Sequence, residues 1–233
     1  MRADQEQGRR ATYAKHLAKK RARQGYTFEE AYDKMYERNY FGMMMVETGD
    51  ADAFITGLYT KYSNTIKVAK EVIGIRPEFS TFATMHILNT KKGVFFLSDT
   101  LINRHPDENV LIDIARLSAN TVQFFNEKPH IAMISYSNFG TDEIGSPVKV
   151  HNAVETLQGL DVNTLVFPNM SSAQGSYKLL QALDPDAEII GPIQMGLNKP
   201  IHFTDFESSV RDIVNITAVA VIDAYVDKIK REK

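Results

Sequence analysis

Between Asn163 and Phe203 the chain reads NTLVFPNMSSAQGSYKLLQALDPDAEIIGPIQMGLNKPIHF, and this stretch constrains the fold more than any other. The apolar run Thr164 to Phe167 predicts a buried strand. Pro168 and Asn169 end it, and Met170 to Gly175 read as a small, polar connection. Tyr177 to Leu183 then has a helical pattern, and Glu188 to Ile190 reads as a second short strand running into Gly191-Pro192. Strand, small-residue turn and helix make half a βαβ unit, and open parallel sheets hold ligands at the carboxyl ends of such strands. Asn169 to Gly175 is therefore a candidate binding loop. An ordinary strand-to-helix connection has the same pattern, so sequence alone leaves both readings open.

The remaining chain fits an α/β protein. Arg2 to Arg23 carry eight Lys or Arg and two acids, with Tyr13 and Leu17 at helical spacing, which predicts a basic amphipathic helix. A solvated face explains that charge better than a nucleic-acid arm does. Gly25 is placed to end this helix. Thr27 with Glu30 forms a capping box for a helix over Phe28 to Arg38. Met43 to Val46 reads as a short strand, Thr60 to Ala69 as a helix and Val72 to Ile75 as another strand. Glu47 to Asp52 is an acidic turn whose spacing does not match a calcium loop. Thr81 to Leu88 and Val94 to Leu97 form a hairpin across Lys91-Lys92-Gly93. Pro106 to Phe125 is an amphipathic helix, His130 to Tyr136 a buried strand, and Val148 to Leu157 a helix. A helix from Ser209 to Lys230, apolar at Val210, Ile213, Val214, Ile216, Thr217, Ala220, Val221 and Ala224, closes the chain. This alternation predicts a largely parallel sheet.

Bulk properties exclude several functions. With no cysteine, thiolate catalysis, disulfides and cysteine metal sites are ruled out. A net charge of −2 argues against a general nucleic-acid or membrane-surface role. No apolar run approaches the roughly 18 residues that span a bilayer, and the basic start is not followed by the apolar stretch of a signal peptide, so the expected location is the cytoplasm. No phosphate loop, dinucleotide glycine fingerprint, zinc-binding helix or nucleophile elbow is present. The six histidines are scattered, and His86 reads as a satisfied core or interface residue. The functional candidates are polar residues ending the predicted strands: Asp99 and Asn103, Ser135 to Gly140, Asn169 to Gln174, and Gly196 to Lys199. Loops of this type offer backbone N–H groups to phosphate-bearing ligands.

Several of these segments resemble a known family. LVFPNMSSAQGSYKLL, with GPIQMGLNKPI after it, is similar to the C-terminal motif of phosphate acetyl/butyryltransferases. FFLSDTLINRHPDENVLIDIA and PHIAMISYSNFGT resemble further motifs of that family. YFGMMMVETGDADAFITG and the SYSNFG wording are closer still to the transferase-like C-terminal domain of bacterial hybrid NADP-dependent malic enzymes. The resemblance runs from about residue 9 to 226.

It implies a three-layer α/β/α fold of the isocitrate/isopropylmalate dehydrogenase-like class, with a mostly parallel sheet and two subdomains. Residues 1–40 would be a helical leading segment. Residues 41–72 with 195–233 would form an incomplete first subdomain, and residues 73–194 a second. Only Gln158 to Asp161 stand where the family has some tens of residues, an apparent deletion, and the chain reads as a fragment of a larger protein.

The resemblance also implies acetyl-CoA as ligand and allosteric effector. Its candidate contacts are Asp99, Asn103, Ser137, Asn138, Gly140, Asn169, Ser171, Ser172, Gln174, Tyr177, Lys178, Gly191, Pro192, Gly196 and Lys199. No cofactor or metal is expected in this domain; NADP and a divalent metal belong to the linked malic-enzyme domain. Where active transferases carry an adjacent serine and arginine, this chain has Asp205-Phe206. Their Ser-Thr-Lys-Gly turn reads Ser137-Asn138-Phe139-Gly140 here. A carboxylate repels phosphate, and phenylalanine lacks the bidentate arginine fork. The implied role is a regulatory, oligomerising domain with no catalytic residue of its own. An active acyltransferase using other residues and a ligand-free dimerisation module are the alternatives.

Overall fold

A computed structural model describes residues 3–137, 145–156, 163–204, 206 and 208–231. The chain divides into two compact units, Met1–Gly74 with Leu197–Lys233, and Ile75–Gly196.

In the first unit, α1 (Ala3–Lys20) buries Tyr13 and Leu17, the apolar positions expected from sequence, together with Ala14. A 3-10 turn follows, ended by Gly25 in the left-handed region, φ 81°. The basic end of α1 is not merely solvated. Lys20 Nζ donates to the carbonyls of Val72 and Ile73 at 2.7 and 3.3 Å, and Arg21 donates to those of Lys70 and Glu71 at 2.5 and 2.6 Å. These carbonyls belong to the last turn of a later helix, where the orphan acceptors and the negative dipole end favour cations. α2 (Phe28–Lys34) has the predicted capping box between Thr27 and Glu30.

The strand expected at Met43 to Val46 is instead the middle of α3 (Arg38–Thr48). The Glu37 carboxylate caps that helix, accepting from the Asn39 and Tyr40 amides, and Gly49 ends it at φ 86°. A four-residue apolar run has the same signature in a buried helix as in a strand, and here the caps decide. β1 (Phe54–Thr56) leads to α4 (Tyr62–Val72). The strand expected at Val72 to Ile75 is absent, because Val72 is the last residue of α4 and Gly74 turns the chain at φ 83°.

The second unit holds β2 (Ala83–Thr90), β3 (Gly93–Ser98), α5 (Glu108–Phe124), β4 (Ile131–Met133), α6 (Ser146–Thr156), β5 (Thr164–Val166), α7 (Met170–Leu183) and β6 (Glu188–Met195). Their sheet has the order β4-β5-β3-β2-β6. β3 pairs with β5, and β5 with β4, in parallel; β2 pairs antiparallel with both β3 and β6. The largely parallel sheet expected from sequence is therefore mixed: β2 alone opposes four strands that point one way. The reason is local, since Lys91-Lys92 closes a two-residue hairpin with Thr90 opposite Gly93, and such a turn forces antiparallel pairing.

Leu97 joins Leu88, Phe167 and Ala173 in a core cluster with Tyr177 against it, whereas neighbouring Phe96 lies 6.4 Å, ring to ring, from Phe125 at the end of α5. Adjacent strand residues face opposite sides, so α7 and α5 cover opposite faces of this sheet. Two further expectations shift. The polar connection at Met170 to Gly175 is the first turns of α7, and β6 continues through Gly191-Pro192 to Met195.

The chain then completes the first unit with β7 (Ile201–Phe203), parallel to β1, and α8 (Val210–Arg231). α8 buries Ile216, Val219 and Ala220, while Val210, Val214 and Val221 of its expected apolar set are exposed, as is Tyr225. Among the described residues no helix is long and apolar enough to cross a membrane.

Candidate functional site

Four of the five strands in the second unit end at one edge of its sheet, the edge at which β2 begins, so the termini of separate segments converge there. Asp99, one residue past β3, is 3% exposed and sits at the centre. Its Oδ1 accepts from the Thr84 amide and hydroxyl at 2.9 and 2.7 Å and from the Leu101 and Ile102 amides, each at 3.3 Å. Its Oδ2 accepts from the Asn103 amide and side-chain nitrogen, both at 2.6 Å. Six donors thus fill a carboxylate that offers about four lone-pair positions.

The network extends across the strands. Thr84 Oγ1 lies 3.1 Å from Thr100 Oγ1, which lies 2.9 Å from His86 Nδ1. The buried His86 ring stacks on Tyr177 of α7 with centroids 4.4 Å apart. Gln174, one turn earlier, donates to the Thr100 carbonyl at 2.9 Å. This ring contact and this hydrogen bond fix α7 to the ends of β2 and β3. Gly191 lies behind His86 at φ 143°, where a Cβ would stand 2.9 Å from both His86 Cδ2 and the Met85 carbonyl oxygen. Only glycine fits this close approach. The β2–β6 register shifts at the same place, between Met85 and Ile87.

Just before α7, Lys149 of α6 donates to the carbonyls of Pro106 and Pro168 at 2.8 and 3.0 Å. Burial lowers its pKa below the ordinary lysine value, with Asp107 opposing that shift. This cation ties the end of β5 to the start of α5.

The sequence candidates separate into distinct groups. Asp99, Asn103, Gln174 and Tyr177 come together in the network just described. Asn169 caps α7, accepting from the Ser172 amide at 2.9 Å, and the Ser172 hydroxyl returns a bond to the Asn169 carbonyl. Ser171 and Lys178 are exposed on α7. The Ser137 amide donates to Ser135 Oγ beyond β4 at 3.3 Å. Gly191 and Pro192 lie within β6, and Gly196, at φ 92°, accepts from the Arg76 amide at 3.0 Å. Lys199 belongs to the other unit. Asn138 and Gly140, with Phe139 and Asp205, lie outside the described residues; Phe206 is 67% exposed. Thr84, Thr100 and Lys149 were not among the sequence candidates, whereas His86 is the satisfied core residue expected from sequence. Polar residues inside an apolar strand, such as Thr84 and His86 in β2, were the available signal.

Comparison with known proteins places these features in context. The family model described as phosphate acetyl/butaryl transferase matches residues 2–163 and 156–221. The chain is 33% identical over 236 residues to the NADP-dependent malic enzyme of Escherichia coli, covering 87% of this chain and 31% of that enzyme. It is 29% identical to the phosphate acetyltransferase of Corynebacterium glutamicum, covering 91% of this chain and 74% of that protein. A phosphotransacetylase structure from Streptococcus pyogenes superposes with a TM-score of 0.82 at 28% identity, covering 97% of this chain and 76% of that one. The chain thus spans about a third of the malic-enzyme relatives and three quarters of the smaller transferases.

Proposed function

We propose, from the premise that the chain belongs to the phosphate acetyl/butaryl transferase family, that it is a regulatory and oligomerising domain that binds acetyl-CoA. On this reading it is linked to a malic-enzyme domain that oxidatively decarboxylates malate to pyruvate in the cytoplasm. NADP and a divalent metal would be held by that linked domain.

The observation that carries this reading is the hydrogen-bonding state of Asp99. A catalytic carboxylate needs a lone pair or proton available to substrate. Here six donors from the same chain occupy the carboxylate, so Asp99 organises the strand ends rather than reacting. Ser171, in the first turn of α7, and Lys178, two turns further along the helix, are exposed and open to a phosphate-bearing ligand. The placement of α5 and α7 on opposite faces of the sheet supports the three-layer, isocitrate/isopropylmalate dehydrogenase-like class. Differential affinity for two states of a linked enzyme would make bound acetyl-CoA an effector.

Isothermal calorimetry with acetyl-CoA tests the proposal. Saturable binding is expected, and a flat isotherm at millimolar ligand would sink it. The similarity to phosphate acetyltransferases over 91% of the chain favours a second reading, an active acyltransferase. A coupled assay for acetyl phosphate formed from acetyl-CoA separates the two. The regulatory reading expects no turnover, whereas turnover reduced by Lys199→Ala would establish the second.

A further inference from the structure

A cavity of about 550 Å³ opens in the second unit between the loop at Pro77 to Ser80 and one face of α5. Its size lies within the roughly 300–1,000 Å³ range of small-molecule sites. Asn109, Ile112, Asp113 and Arg116 supply the helical wall, at the i, i+3, i+4, i+7 spacing of a single helix face. Asp113 is only 8% exposed, and its Oδ2 accepts from the Ser80 amide and hydroxyl at 2.7 and 2.5 Å. That pair of bonds ties the loop to the helix and makes the cavity a built feature.

The charges in this cavity are arranged for something other than each other. Asp113 and Arg116 share a helix face, yet they form no ion pair. The side chains of Arg116, Glu78 and Asn109 have no hydrogen-bond or ion-pair partner among the described residues. A free guanidinium is a fork suited to a carboxylate. Asp113 Oδ1 and the Glu78 carboxylate can accept from an ammonium group. Phe79 and Ile112 supply an apolar surface beside these polar groups.

We propose that this cavity binds a free α-amino acid with an apolar side chain. Its carboxylate pairs with Arg116, its ammonium faces Asp113 and Glu78, and its side chain lies on Phe79 and Ile112. The site goes beyond the acetyl-CoA reading and does not rest on it. For a ligand of this size the dissociation constant is expected on the order of 1 mM.

The test is an amide NMR titration of the whole chain with L-leucine, and separately with isopentylamine and 4-methylpentanoic acid, which each lack one of leucine's charges. Leucine is expected to give saturable shifts at Phe79, Ser80 and the Asn109 to Arg116 amides, with at least tenfold weaker binding of the other two probes. Arg116→Met should weaken leucine tenfold or more, while Arg104→Met, at an exposed arginine outside the cavity, leaves it unchanged. Arg116 is exposed, so its replacement spares the fold. Absence of saturation with leucine at tens of millimolar overturns the proposal. So does equal binding of the singly charged probes, or a leucine affinity indifferent to Arg116→Met.

Discussion

His86 and His202 are both imidazoles buried on β-strands, and the two units of the molecule hold them in opposite ways. His86, 5% exposed, is hydrogen-bonded through Nδ1 to Thr100, and stacked on Tyr177. Thr100 leads through Thr84 to the Asp99 carboxylate, so the ring stands at the end of a satisfied polar chain. His202, 1% exposed, has no hydrogen-bond partner at either ring nitrogen among the described residues, and the Asp223 carboxylate stands 3.5 Å from its Nε2. A buried polar network rigidifies its surroundings only when its members are satisfied. The site in the second unit meets that condition, whereas His202 has a charge nearby without the geometry of a bond.

The largest effect should come from removing the centre of the satisfied network. Asp99→Ala removes the buried acceptor of six hydrogen bonds; the Leu101 amide keeps Thr84 Oγ1 and the Asn103 side chain keeps the Phe82 carbonyl, but the Thr84, Ile102 and Asn103 amides lose this acceptor, and a loss of about 4 kcal/mol is expected. Urea unfolding would read it, and a loss below about 1 kcal/mol would show that the network is not a unit. Gly191→Ala comes next. The added methyl meets His86 Cδ2 and the Met85 carbonyl oxygen at 2.9 Å in a backbone region that disfavours side chains, for an expected loss of about 3 kcal/mol. The same variant should alter the His86–Tyr177 ring contact, visible as shifted aromatic resonances. Unchanged resonances with lowered stability would separate the backbone strain from the ring.

How much of this was legible in the sequence depends on how far apart the partners lie. The Thr27–Glu30 capping box, the Lys91-Lys92 hairpin and the stripe along α5 are set within a few residues, and pattern alone found them. Met43 to Val46 failed because an apolar tetrad carries no period, and the deciding caps, Glu37 and Gly49, lie outside it. Met170 to Gly175 failed because serines and a glycine look like a loop, while Asn169 capping Ser172 starts a helix there. In the site, Asp99 and Asn103 were recognised as strand-end polar residues. Thr84 was not, because it lies 15 residues from Asp99 in sequence, and Gln174, itself a candidate, lies 74 residues from the Thr100 carbonyl it bonds. Only the folded sheet brings such residues together.

The first unit also contains a satisfied charge, which sharpens the comparison to His202 itself. Glu71 accepts from the hydroxyls of Tyr26 and Tyr40, with Lys34 at 3.7 Å. Burial acts to raise its pKa, but these hydroxyls, with Lys34 and Lys67, outweigh it and hold the carboxyl below the ordinary glutamate value. A depressed folded-state pKa contributes stability that is present above the unfolded value. That contribution is lost as pH falls from about 4.5 through the lower folded value. Glu71→Gln should therefore cost about 2 kcal/mol at pH 7 and progressively less under acid. Chemical unfolding from pH 7 to pH 3 measures this, and a cost that stays constant with pH refutes the charge argument.

His202→Leu should have the smallest effect and bears most directly on the opening contrast. The substitution removes two buried nitrogens that make no hydrogen bond and restores apolar volume between β7 and α8. It also deprives Asp223 of a countercharge, but that side chain is 26% exposed and water can solvate it. Replacing an unsatisfied buried polar group with an apolar one of similar size is close to neutral, so the expected change is between zero and about 1 kcal/mol of stabilisation. His86→Leu, the same substitution in the second unit, removes one of the two hydrogen-bond partners of Thr100 Oγ1 and breaks the contact with Tyr177, and it should lose about 2 kcal/mol. Thermal unfolding of the two variants side by side decides between polar satisfaction and simple burial. Equal losses would mean that burial alone sets the cost, and that the contrast between the two histidines has no energetic content.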